Sequence, residues 1–192
     1  MSVEARRGMI VHAVLPLLIE HGATVTTSQI ARAAGIGEGT IFRAFKDKDE
    51  LFDACTAEVL RPDHVLDAIA KIPVEQPLED RLVEAAVALG AHLERMGALM
   101  GALHASGRLR RRGDPEKRLK AREGGRRESM TVMRDAMTEL FEPEKRRLRL
   151  PPDQVASLFL ALLFGGRRMA PDDAPATRQV IEVFLHGAME AM

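Results

Sequence analysis

The sequence predicts an all-α protein, on three observations. Apolar residues recur three and four positions apart in every long segment, helix starts carry capping signatures, and glycine or proline bounds the periodic stretches. Val3 to His21 reads as the first helix, with Ile10, Val14, Leu17 and Leu18 on one face and Gly22 as its end. Pro16 predicts a kink, because it lacks an N–H and crowds the carbonyl of His12. Arg6 and Arg7 oppose the dipole at the helix start. They read either as solvated arginines on a fraying end or as phosphate contacts.

Residues 26–45 organise the rest. Thr26 and Gln29 form a capping box, and Ile30, Ala33 and Ala34 give the following helix an apolar face. Gly35 supplies the positive φ of a sharp turn, and a second helix starts near Gly37 with Glu38 in its first turn. Ile41 and Phe45 point inward, which leaves Glu38, Gly39, Thr40, Arg43 and Ala44 on an outward face that is polar and small. Two short helices around a glycine turn make a helix-turn-helix, whose second helix enters the major groove of DNA.

The stretch Gly35-Ile36-Gly37-Glu38-Gly39-Thr40-Ile41-Phe42-Arg43-Ala44-Phe45-Lys46-Asp47-Lys48-Asp49-Glu50-Leu51 resembles the TetR-type repressor signature in order, spacing and residue type. The resemblance implies a DNA-binding head at residues 1–46 and a helical regulatory and dimerisation body at 47–192. The DNA-contacting set it implies is Thr27, Gly37, Glu38, Gly39, Thr40, Phe42, Arg43 and Lys48. Two departures stand out: the family usually has Tyr at the position of Phe42, and Tyr or His at that of Ala44. Both lost groups commonly touch phosphates, so affinity leans on Thr27, Thr40, Arg43 and Lys48. Arg43 is suited either to a guanine or to a phosphate.

Asp47 caps a helix that runs through Leu51, Phe52, Cys55 and Val59 to about Leu60, where Arg61-Pro62 stops it. In the resembled family this helix links head to body, and Lys48 with the free N–H groups of its first turn is placed to grip a phosphate. A short helix follows between Pro62 and Pro73, with no flexible linker beside it. From Leu78 to about Ser106, Leu78, Leu82, Ala85, Leu89, Leu93, Met96, Met100 and Leu103 mark a long core helix, interrupted by Gly90, Gly97 and Gly101 as points of close packing or ligand space. Arg108 to Arg127 is the one strongly basic region, a solvated face or an aid to DNA attraction. Asp114-Pro115-Glu116 then opens a helix to about Phe141, with a weak point at Gly124-Gly125.

The last two helices are expected at about Pro152 to Met169 and Ala174 to Ala191. Leu158 to Phe164 is apolar all round, so a single core face cannot account for it, and a partner subunit is the simplest cover. Val180, Ile181, Phe184, Gly187, Ala188 and Ala191 add a second apolar stripe, completing a four-helix interface as in the resembled family. Such a dimer presents two reading helices about 34 Å apart and predicts a palindromic operator.

At 192 residues, 46% hydrophobic and 29% charged, the chain suits a soluble globular protein with a substantial core. It has no long apolar run and no leader pattern, which predicts a cytoplasmic protein without a membrane partner. A net charge of zero confines any DNA affinity to a local patch. The single Cys55 reads as a small core residue, and no spacing of Cys and His marks a metal site. Nucleophile elbow, phosphate loop and cofactor motif are all missing, so neither an enzyme nor a cofactor is expected. The reading is a homodimeric DNA-binding transcriptional regulator, a repressor released from its operator by a small, mostly apolar effector. His92, Met96, Met100, His104, Met130, Met133 and Phe159 are the candidate effector contacts. The alternative is a ligand-independent architectural or protein-interaction dimer of the same fold.

Overall fold

A computed structural model describes residues 2–105, 115–166 and 175–189, except for the side chains of 115–124, 126, 166 and 188. All the secondary-structure elements among them are helices, save one isolated bridge between Leu148 and Met189. Besides two short 3-10 turns, at Gly22–Thr24 and Glu142–Glu144, they are in chain order α1 (Val3–His21), α2 (Thr27–Ala33), α3 (Glu38–Ala44), α4 (Lys48–Leu60), α5 (Asp63–Ala70), α6 (Leu78–Ala105), α7 (Pro115–Phe141), α8 (Pro152–Gly166) and α9 (Thr177–Ala188). No helix among the described residues is long and apolar enough to cross a membrane.

Local chemistry sets the helix ends. Ser2 Oγ accepts from Ala5 N–H at 3.1 Å to open α1, which continues through Pro16 to Gly22 at φ 60°. Asp47 opens α4 by accepting from Glu50 N–H at 2.7 Å. Each acceptor meets a backbone donor that has no partner within its helix. The helix α7 passes unbroken through Gly124-Gly125, the expected weak point. Of the basic stretch expected at 108–127, residues 108–114 and the side chains of 115–124 and 126 lie outside the described residues.

The chain packs as two compact units. The first comprises Met1–Arg61 and Leu93–Arg118, the second Pro62–His92 and Leu119–Met192. The first unit's core is built from Ile10, Val14 and Leu18 of α1, Ile30, Ile41 and Phe45 of the helix-turn-helix, Leu51, Phe52 and Cys55 of α4, and Leu99 and Leu103. Cys55 is fully buried, and burial pushes its thiol up to about 12, so it is the inert core residue expected. Helix α6 therefore contributes its second half to the head core. The expected division at residue 46 falls inside this unit.

In the second unit, Leu82, Ala85 and Leu89 of α6 meet Met137 and Phe141 of α7, Phe159 of α8 and Ile181 of α9. Phe141, Phe159 and Phe184 close the centre, with ring centroids 5.3 to 6.5 Å apart and tilted or edge-on planes. At the outer edge Arg178 pairs with Glu79 and, at 2.8 Å, with Asp80, tying the start of α9 to that of α6.

Arg81 is the exception in this apolar interior. It is 1% exposed, donates through Nη1 to the Leu140 carbonyl at 2.6 Å, and pairs through Nη2 with Glu144. The end of α7 would otherwise leave that carbonyl without a donor. A buried guanidinium is tolerated because its charge is matched and the carbonyl adds a second acceptor. Arg81→Ala is expected to cost about 3 kcal/mol or more, measured by urea unfolding, because the variant leaves the Leu140 carbonyl without its donor and Glu144 with only Arg147, 4.0 Å away. A loss below about 1 kcal/mol would show that water replaces the guanidinium without penalty.

Candidate nucleic-acid interface

The interface lies wholly within the first unit and begins at the turn. Thr26 Oγ1 accepts from Gln29 N–H at 3.2 Å while Gln29 Oε1 accepts from Thr26 N–H at 2.8 Å, the reciprocal capping box expected. Gly35 adopts φ +64°, which an L side chain rarely does, and Gly37 enters α3 from an extended conformation. The turn therefore folds as the residue types require.

Helix α3 is amphipathic at its own small scale. Ile41 points into the core, with Phe45 just beyond the helix, while Glu38, Gly39, Phe42 and Arg43 are exposed and Thr40 is half-buried. Phe42 is 54% exposed, a large apolar ring presented to solvent beside Arg43. Ala44 corrects the sequence reading: it is 8% exposed rather than outward-facing. It follows Ile41 by three positions and so shares its face.

Gly37 and Gly39 have nothing within 4 Å of where a Cβ would stand. Internal packing does not require either glycine. In Gly39 the helix gives up roughly 1 kcal/mol of propensity relative to alanine, and the result is a shallow outer surface that another backbone can approach closely.

Two basic residues make contacts within the unit. Lys48 Nζ donates to the Ala23 carbonyl at 3.0 Å and lies 5.2 Å from the centre of the Phe52 ring, bracing the segment ahead of α2. Arg7 is neither fraying nor turned to solvent. Its guanidinium donates to the carbonyl of Ala44, the last residue of α3, and pairs with Glu50 Oε1 of α4 at 2.8 Å. It also stacks 4.2 Å above the Phe45 ring. Glu50 Oε2 in turn accepts from Lys46 N–H at 2.6 Å. That backbone N–H, followed by Arg7, holds the Glu50 carboxyl below the usual carboxylate range. The corner after α3 is thus tied to both α1 and α4. The available sequence signal was Asp47 followed three residues later by Glu50.

The expected effector residues are shared between the two units. Met96, Met100 and His104 fall in the first unit, with Met100 packed against the head core and His104 exposed. His92, Met130, Met133 and Phe159 fall in the second, where His92, Met133 and Phe159 are buried and Phe159 belongs to the ring cluster. Helical spacing identified the faces of these side chains, but not the unit each would join. Gly97 and Gly101 likewise have open space where a Cβ would stand, so they do not mark close packing. The second unit does carry an open groove of about 220 Å³ between α7 and α8, lined by Met130, Thr131, Arg134, Ser157 and Leu160.

Residues 10–55 match the family described as bacterial regulatory proteins, tetR family. No curated protein matches the chain. Among solved structures, one from Mesorhizobium loti, ascribed to the TetR family of transcriptional regulators, is 19% identical with a TM-score of 0.64, covering 99% of this chain and 100% of that one. A TetR transcriptional regulator of Streptomyces coelicolor is 19% identical with a TM-score of 0.57, covering 97% and 99%. NalD, the secondary repressor of the MexAB-OprM multidrug efflux pump in Pseudomonas aeruginosa, is 21% identical with a TM-score of 0.53, covering 98% and 100%.

The depressed Glu50 carboxyl has a pH consequence. A group whose folded pKa is lowered stabilises the fold above its ordinary pKa and loses that contribution as pH falls through the folded value. Thermal melts of wild type and Glu50→Gln from neutral to strongly acid pH are expected to differ most near neutrality and to converge in acid. A constant offset at every pH would reject this role.

Proposed function

We propose that this chain, whose residues 10–55 match the tetR family of bacterial regulatory proteins, is a transcriptional regulator, a repressor that binds a palindromic operator as a homodimer. One observation carries the reading of the interface. The outer face of α3 combines two glycines that packing does not demand with exposed Glu38, Phe42 and Arg43 and half-buried Thr40. A face that is shallow where backbones must approach, and polar where base edges lie, suits a major groove. Arg43 is the candidate for a guanine, Thr40 for a base or phosphate, and Phe42 for an apolar contact such as a thymine methyl. Gly37, Gly39 and Glu38 shape and orient that surface, while Thr27 and Lys48 flank it.

The decisive experiment is selection from a randomised duplex library. Enrichment of a palindrome is expected, with binding reduced by about tenfold or more for Thr40→Ala or Arg43→Ala. Gly39→Ala should make the head more stable by up to about 1 kcal/mol and yet bind the selected duplex less tightly. Enrichment of no site, with affinity following salt alone, would reject sequence-specific regulation.

Dimerisation is supported by an uncovered apolar strip on the last two helices. Leu158 is 52% exposed, Leu162 39% and Val183 74%. Burying such a strip against a second copy gives the hydrophobic gain that solvent exposure forfeits. Leu158→Glu combined with Leu162→Glu is expected to halve the mass seen in sedimentation without unfolding the chain. A wild-type monomer at micromolar concentration would reject the dimer.

In the regulatory step, a small, mostly apolar effector binds the body and favours a conformation in which the heads no longer match the operator. The open groove where Met130 and Leu160 lie beside Thr131, Arg134 and Ser157 is the candidate site, pairing two apolar side chains with three that can hydrogen-bond. The burial of Met133 and Phe159 in the body's core favours instead a ligand-independent dimer. Melting-temperature shifts against a set of apolar compounds, followed by operator binding, separate the two readings.

A further inference from the structure

We infer that Arg7 and Glu50 are positioning residues for DNA recognition, setting the orientation of α3 without touching the duplex. The inference rests on the DNA-binding function proposed above and assigns part of its control to two residues outside the reading face.

The geometry places one guanidinium across three elements. Arg7 leaves the first turns of α1, donates to the Ala44 carbonyl at the end of α3, and pairs with Glu50 in the first turn of α4. The central carbon of the same group lies over the ring of Phe45, the residue just past α3. Glu50 uses its second oxygen to hold Lys46 N–H, so the chain between α3 and α4 is gripped from both sides. Helix α3 has seven residues, two turns at most, and its own hydrogen bonds do little to fix its direction. Its start is set by the glycine turn and its end by this clamp. A displacement of the first turn of α4 moves Glu50 and, through Arg7, pulls on the end of α3. That gives a mechanical route by which the linking helix governs the reading helix.

Only arginine can make the clamp. Its planar fork serves a carbonyl and a carboxylate at once while stacking on a ring, whereas a lysine ammonium is a point charge on a flexible stem. This distinguishes positioning from simple charge attraction to phosphates, since the two ideas predict opposite results for conservative changes. Charge attraction leaves Arg7→Lys close to wild type. It also makes Glu50→Gln and Glu50→Ala bind DNA more tightly, because each removes a negative charge near the duplex.

The test uses the whole chain and the duplex enriched from the randomised library, at a temperature where circular dichroism shows every variant folded. Positioning predicts that Arg7→Lys weakens binding by about tenfold, nearly as much as Arg7→Ala, with the salt slope unchanged. It predicts that affinity falls from wild type to Glu50→Gln and falls again to Glu50→Ala, because the amide introduced by Glu50→Gln keeps an acceptor oxygen that Glu50→Ala lacks. The double variant should lose little more than either single one, since both break the same clamp. Wild-type affinity in Arg7→Lys, tighter binding in the Glu50 variants, or a salt slope reduced by about one in Arg7→Ala would overturn the inference while leaving DNA binding intact. A purely structural role would lower the melting temperature but leave the affinity of the folded protein unchanged, and this result too would overturn it. If wild type enriches no duplex, the DNA-binding function itself fails, and this inference with it.

Discussion

The head depends on a constraint of length. Helices α2 and α3 have seven residues each, far below what an isolated helix needs to persist in water. They exist because their apolar faces are buried against α1 and α4 and because their ends are tied by side chains. Ile30, Ile41 and Phe45 provide the burial, and the Thr26–Gln29 box, Gly35 and the Arg7–Glu50 clamp provide the ends. None of these residues lies on the outer face of α3. The outer surface of α3 is consequently left open to chemistry unrelated to folding, and its glycines, threonine, phenylalanine and arginine reflect that freedom.

The body meets a different demand. Its helices are long enough to form readily once packed, and its difficulty lies in ending them inside an apolar interior. Arg81 resolves this for α7 by bringing a guanidinium to the Leu140 carbonyl and matching it with Glu144. The three phenylalanines then close the space among α7, α8 and α9 without any polar group. The two units thus use arginine alike, as a clamp on a helix end. One does so at a partly exposed corner and the other in a nearly dry core.

Much of this was legible in the sequence because it is local. Caps at Thr26 and Asp47, the positive φ at Gly35, and the helix starts at Val3, Leu78 and Pro115 follow from residue types within a few positions of one another. The inward face of α3 was read one residue short, since Ala44 is neither bulky nor strongly apolar and its burial comes from tertiary packing. Arg7 and Arg81 escaped because their partners lie 37 and 59 residues away, beyond any periodic signal. For the same reason nothing periodic in α6 marks where its packing changes: Leu99 and Leu103 join the head core, and Leu82 and Leu89 that of the body.

The continuity of α6 bears on how far the head can be treated as a module. A polypeptide cut after residue 61 would contain the whole helix-turn-helix and both helices that support it, yet would lack Leu99 and Leu103 from its core. Such a fragment would expose the apolar surface those leucines cover and would be prone to self-association. Grafting this DNA-reading element onto another protein therefore requires carrying a distant piece of helix with it, or redesigning the patch that the piece leaves behind.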